Sequence, residues 1–155
     1  MGQAGPGFRE PTTLERAFNR IFGVLVGLGL APRDYYLLQV RGRKTGRVYS
    51  NPVSLVPFHG VRFLVAPRGR TQWVRNVEAS SEVGFKRGSS TERCRLRPLA
   101  DADKAPVLHA YVAKYGSVVQ RYFPVPAGAP LGAFAEIASR YPVFEISAVD
   151  PGARP

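Results

Sequence analysis

Cysteine, histidine and acidic side chains are the scarce residues of this 155-residue chain, which has one Cys, two His and only 11 Asp and Glu against 22 Lys and Arg. A single thiol excludes an internal disulfide framework and a cysteine-based metal site. Cys94 lies in the alternating stretch "ERCRLR", which puts Cys94 and Leu96 on one strand face and Arg93, Arg95 and Arg97 on the other, so the thiol is expected in the core. His59 falls in a turn and His109 in a helix, without an H-x-x-x-H or H-E-x-x-H pattern, so no metal centre is expected. G-x-S-x-G, a P-loop and a strand-linked G-x-G-x-x-G are all missing, and Ser54 and Ser117 have no evident partner base. No catalytic side-chain set is predicted; if the chain is an enzyme, a bound cofactor carries the chemistry.

Long apolar runs are missing too. The longest, "IFGVLVGLGLA" at 21–31, is about half of the ~20 residues that a membrane-spanning helix needs. Glu10 and Glu15, and the lack of a small-x-small cleavage site, argue against a secretory leader. A cytoplasmic protein is expected, with peripheral attachment to the inner face of the membrane kept open.

What the chain does have is turn chemistry and positive charge. Its 14 Pro and 16 Gly imply many short elements, which favours β or α+β over a helical bundle. The net charge of +11 is concentrated in the middle: residues 33–97 hold fourteen Lys and Arg against Asp34, Glu78, Glu82 and Glu92. A field of one sign gathers anionic partners, among them nucleic acid, a membrane surface or a phosphorylated cofactor. Nucleic acid is not expected, because the aromatics sit in apolar runs rather than on a stacking platform.

Along the chain, 1–12 reads as a flexible N-terminus, 13–150 as a single domain and 151–155 as a tail. Thr12 and Glu15 form a capping box that opens an amphipathic helix over 13–30, a candidate for packing on the sheet or for contact with lipid. Strands are expected at 35–40, 48–58 (with Pro52 at an edge or bulge), 61–67, 83–86, 92–99 and 142–147. A short helix follows a Thr71 N-cap, another runs from an Asp101 or Asp103 cap to Tyr115, and a third covers 131–140. The fold class is α+β: a small split β-barrel of about six mainly antiparallel strands with flanking helices, an arrangement that protects sheet edges.

Between the first two strands, "VRGRKTGRVYSNP" (40–52) crowds Arg41, Arg43, Lys44 and Arg47 onto one turn. Gly42 and Gly46 let the backbone approach a ligand, exposed amides can form an anion-binding concavity, and the cations add full charges. A second basic turn, "APRGRTQW" (66–73), carries Arg68 and Arg70 into a helix N-terminus, which also favours anions.

The stretches "GRKTGRVYSNPV", "FLVAPRGRTQWVRNVEASSEV" and "YPVFEIS" resemble the deazaflavin-dependent nitroreductase family of actinobacteria, best over residues 35–100. The resemblance implies a split β-barrel that binds coenzyme F-420, a phosphorylated, polyglutamylated 8-hydroxy-5-deazaflavin, with FMN ranked behind it. It places Arg43, Lys44, Thr45 and Gly46 on the phosphate and acidic tail, with Tyr49, Asn51 and Pro52 beside them and Ala66, Pro67, Arg68 and Gly69 after the third strand. Where relatives carry a Ser-Lys or similar pair, this chain has Pro67 and Arg68, keeping a cation and losing a hydroxyl. Trp73 and Asn76 match residues beside the deazaflavin, although Trp73 reads equally well as an anchor of its helix to the barrel.

The implied reaction is hydride transfer to a quinone, an activated alkene or a nitroaromatic acceptor, with no catalytic side chain. Tyr111, Tyr115, Tyr122 and Phe123 are candidates for the acceptor wall, and helical i,i+4 spacing makes Tyr111 and Tyr115 equally good core residues. The alternative within the same fold is a fatty-acid or lipid-binding protein with little or no redox activity. A monomer or homodimer is expected.

Overall fold

A computed structural model describes residues 33–149; the expected helix at 13–30 and both termini lie outside them. Six strands, β1 (Tyr35–Arg41), β2 (Val48–Phe58), β3 (Val61–Val65), β4 (Glu82–Arg87), β5 (Ser90–Pro98) and β6 (Val143–Ala148), close into an antiparallel barrel in the order β1-β2-β3-β6-β5-β4. Three helices, α1 (Gln72–Ala79), α2 (Ala105–Tyr115) and α3 (Leu131–Ile137), accompany it. The expected α+β barrel is what forms.

Two-residue alternation along the strands builds two cores. Leu38, Leu55, Leu64, Phe85, Leu96 and Phe144, one from each strand, meet inside the barrel, and Val74 and Val77 of α1 join them. Their neighbours Val56, Phe63, Val65 and Val143 point the other way and pack under α2 and α3 with Leu108, Val112 and Phe134. The second layer is pinned by the Tyr115 hydroxyl, which donates to the Leu55 carbonyl. Lys114 Nζ also lies 2.5 Å from Asp34 Oδ2.

β2 is long because its two halves have different partners: 48–54 pair with β1 and 55–58 with β3. Pro52, opposite Leu37, falls in the half that pairs with β1 alone. A residue without an N–H is tolerated there because the other side of the strand carries no second ladder. That half of β2 is a local edge in a barrel otherwise closed.

Several boundaries differ from expectation. β3 stops at Val65; the next amide, Ala66, donates to the Pro142 carbonyl, and Pro67 has no amide to continue the ladder. Asp101 and Asp103 do not cap α2. They form a 3₁₀ turn, and the helix begins after Lys104 with Pro106 in its first turn. The Asp101 carboxylate instead receives the buried Lys104 Nζ at 2.7 Å. The third helix ends at Ile137 and tightens to 3₁₀ over 138–140.

Cys94 is fully buried inside the barrel. Burial, with Glu92 nearby, pushes its thiol up to about 11, so the reactive thiolate is scarce at neutral pH. Labelling with a thiol reagent at pH 8 is expected to proceed only as fast as the protein unfolds; rapid stoichiometric reaction of the native protein would contradict this placement.

Candidate functional site

The β1–β2 connection, residues 42–47, closes on itself through two backbone bonds, Gly42 N to Arg47 O at 2.6 Å and Gly46 N to Gly42 O at 2.9 Å. Gly46 has φ +72°, which a glycine adopts without strain. Gly42 answers a packing need: a Cβ there would lie 2.6 Å from Tyr49 Cε2 and 2.9 Å from Thr45 Oγ1. Its absence lets the Tyr49 ring lie on the turn, with Tyr49 Oη 3.2 Å from Thr45 Oγ1. Thr45 Oγ1 also accepts from Arg47 N at 3.2 Å, and Arg41 Nη1 donates to Gly46 O at 2.8 Å.

This turn, the edge half of β2 and the facing side of α1 enclose a cleft of about 320 Å³. Gly42, Arg43, Lys44 and Thr45 line it from the turn, Tyr49, Ser50 and Asn51 from β2, and Gln72, Trp73 and Asn76 from α1. Gln72 and Asn76 are one helical turn apart, so they share a face. Asn76 is buried and accepts from Arg43 twice at Oδ1, from the backbone N at 3.1 Å and from Nη1 at 2.7 Å. Gln72 Oε1 takes Arg43 Nη2 at 3.0 Å. The amides of Lys44 and Thr45 have no partner among the described residues. Two successive unpaired amides at the tip of a turn are what an anion-binding concavity requires.

Carboxylates are committed elsewhere. Glu92 pairs with Arg62, Glu78 with Arg70, Glu82 with Arg93 and Glu145 with Arg97. Arg41, Arg43, Lys44 and Arg47 have no ion-pair partner among the described residues. No carboxylate among the described residues lines the cleft, so these residues give it a positive field. The carboxyl of Glu78, on the far side of α1, is held below the ordinary carboxylate range by its hydrogen bond from Arg70, with Arg75 and Arg43 adding to the pull against some desolvation. Glu82 and Glu145 neutralise Arg93 and Arg97, two of the three arginines on the outer face of β5.

Of the residues expected at a site, Arg43, Lys44, Thr45, Tyr49, Asn51, Trp73 and Asn76 meet at this cleft. Gly46 shapes the turn behind it, and Pro52 is the next residue along β2. Ala66, Pro67, Arg68 and Gly69 follow β3 and do not line the cleft; Ala66 is buried, and its carbonyl accepts from Gly69 N at 3.2 Å. Thr71 stands at the N-cap position of α1, but its hydroxyl makes no capping bond and is buried without a partner among the described residues.

Trp73 occupies both the barrel surface and the cleft. Its ring centroid is 6.3 Å from that of Phe144, against the barrel core, and it also lines the cleft. Tyr111, Tyr115, Tyr122 and Phe123 are not brought there. Tyr111, Tyr115 and Phe123 are buried in the layer beneath α2 and α3, and Tyr122 packs half-buried against it. Burial pushes the Tyr111 and Tyr115 phenols well above the ordinary range, so both remain protonated. The i,i+4 spacing of Tyr111 and Tyr115 is here that of a core-facing helix, the alternative it offered to an acceptor wall. Ser50 and Gln72 line the cleft without having been expected as site residues. Gln72 was accessible in principle, since it precedes Asn76 by one helical turn.

The sequence model of a family described as F-420H(2)-dependent quinone reductase matches residues 10–125. No curated protein matches the chain significantly in sequence. Solved structures share the fold at low identity. Protein Atu2129 of Agrobacterium tumefaciens, of unknown function, gives a TM-score of 0.54 at 16% identity, covering 88% of this chain and 58% of that one. A protein described as a domain-swapped dimer gives 0.52 at 20% identity, covering 86% and 93%. HutZ, the heme storage protein from Vibrio cholerae, gives 0.52 at 11%, covering 76% and 83%.

Proposed function

The chain belongs to the F-420H(2)-dependent quinone reductase family, and we propose that it reduces a quinone, an activated alkene or a nitroaromatic, holding the coenzyme's anionic tail in the cleft between the β1–β2 turn and α1. The observation that carries this reading is the donor set of that cleft: Lys44, the unpaired amides of Lys44 and Thr45, and no carboxylate. These residues fit a phosphate followed by a chain of carboxylates, which offers acceptors alone. When bound, the reduced coenzyme supplies a hydride from C5 of its deazaflavin.

The protein's own part is to bind and orient. Lys44 and the turn amides would hold the anionic portion, Thr45 and Tyr49 brace each other on the rim, and Trp73 offers a flat apolar wall. Such positioning replaces a chance encounter of two planar molecules by a fixed one, and no side chain need exchange a proton with the acceptor. Past β3, Pro67 offers neither amide nor hydroxyl, so the weight of anion binding falls on the β1–β2 turn.

Trp73 is the only tryptophan, so its fluorescence reports directly on this cleft. Titration with oxidised coenzyme F-420 is expected to quench it with micromolar or tighter affinity, whereas FMN at the same concentrations leaves it unchanged. Turnover with a quinone, a nitroaromatic and an activated alkene then identifies the acceptor. Binding of FMN in place of the deazaflavin, or of neither, would sink the proposal.

A further inference from the structure

Arg43 is one of four cations on the turn, yet its guanidinium faces α1: Nη1 and Nη2 are taken by the side-chain carbonyls of Asn76 and Gln72, and its backbone amide by Asn76 as well. From this geometry we propose that Arg43 is the positioning residue of the anion-binding turn, locking it to α1 so that Lys44 and the amides beside it face the cleft, and that its planar fork matters more than its charge. The inference rests on the anion-binding reading of the cleft given above.

The choice of partners supports it. Both acceptors are neutral amides, which orient a cation without cancelling it; a carboxylate at either position would fix Arg43 equally well and place a negative charge beside the anion. Asn76 is buried, whereas residues 43–47 of the turn are exposed, so the bonds to Asn76 tie an exposed loop to a packed side chain. The tie also crosses 33 residues of sequence, joining two elements whose relative position sets the width of the cleft. A fork with two donor nitrogens in one plane can bridge Asn76 and Gln72 together, and a lysine ammonium at the same place cannot reproduce that geometry.

The test uses the full chain, Trp73 fluorescence and two probes, inorganic pyrophosphate and oxidised coenzyme F-420. Arg43→Lys keeps the charge and loses the fork. It is expected to bind both probes about five- to tenfold more weakly than wild type, within about twofold of Arg43→Ala, with a cooperative thermal transition retained. Wild-type affinity in Arg43→Lys would overturn the proposal, since charge alone would then suffice. In a Lys44→Ala background the cost of Arg43→Lys is expected to shrink to about two- to threefold, because the charged side chain that Arg43 positions is gone and only the turn amides remain; an undiminished cost would mean that Arg43 acts independently of Lys44 and would overturn it too. Should the Arg43 variants fail to fold, Gln72→Ala removes one arm at an exposed site and is expected to weaken both probes about threefold, unchanged binding counting against the proposal. Wild type that binds pyrophosphate but not the coenzyme would refute the cofactor reading and leave the clamp to be judged on pyrophosphate. Wild type that binds neither would overturn both.

Discussion

Lys44→Ala is expected to weaken binding of oxidised coenzyme F-420 at least tenfold, about 1.4 kcal/mol, and Lys44→Glu roughly a hundredfold. The lower figure follows from exposure. Two unit charges about 4 Å apart are worth about 1 kcal/mol in bulk water and about 4 at an effective dielectric near 20. Lys44 lies on the rim of an open cleft, between those limits. Replacing the cation by an anion doubles the change in charge, hence the larger loss for glutamate. Both losses are expected to shrink as salt is raised, because charges on an exposed rim are screened.

Thermal stability should move the other way. Lys44 has no ion-pair partner among the described residues and shares its turn with Arg41, Arg43 and Arg47, so removing it relieves repulsion; the melting temperature is expected to stay level or rise slightly. Coenzyme titrations of the three proteins at two salt concentrations, each with a melting curve, check the pair of statements. Equal affinities would remove the turn from the site. Loss of affinity together with loss of the folded state would show that Lys44 has a structural role that its exposure does not suggest.

The turn was legible because its signals are local. Glycines at 42 and 46 and cations at 41, 43, 44 and 47 are adjacent in sequence, and their chemistry does not depend on what lies across the fold. The strands were legible for the same reason: "ERCRLR" declares its two faces, and Cys94 and Leu96 are buried while the arginines are exposed. What could not be read was tertiary. Nothing local says that Arg43 would reach across to Asn76, a partner 33 residues on. Nor does periodicity say which layer an apolar helix face enters, and α2 puts Tyr111 and Tyr115 under the helices, away from the cleft. The expected Asp cap of α2 failed because residues 101–103 wind into a 3₁₀ turn and the helix starts only after Lys104, whose buried ammonium takes the Asp101 carboxylate.

Phe85→Ala is expected to destabilise the protein by about 3–5 kcal/mol, the largest effect foreseen for a single side chain here. Phe85 is 1% exposed at the centre of the barrel, its ring edge-on to Tyr36 with centroids 6.0 Å apart. Truncation removes its transfer free energy and leaves a hole. A helix could slide to fill such a hole, but β4 cannot: it is hydrogen-bonded on both sides, with Phe85 opposite Leu38 of β1 and Glu92 of β5. Closure of the barrel thus puts the cost at the upper end. Against a total stability of about 5–15 kcal/mol, that is a fall in melting temperature of roughly 10–20 °C. Val48→Ala, at a position 57% exposed on β2, should change stability by less than about 0.5 kcal/mol and serves as the control.

The same substitution should reach the cleft, because β1 carries Leu38 and Val40 into the interior core and then leads directly into the turn. If the barrel sets the root of the turn, Phe85→Ala weakens coenzyme binding even at temperatures where the protein is fully folded. If affinity is unchanged there, the ties of Arg43 to Asn76 and Gln72 hold the turn without help from the barrel interior. Either result ranks the two supports of the cleft, the packed strand beneath it and the polar clamp beside it.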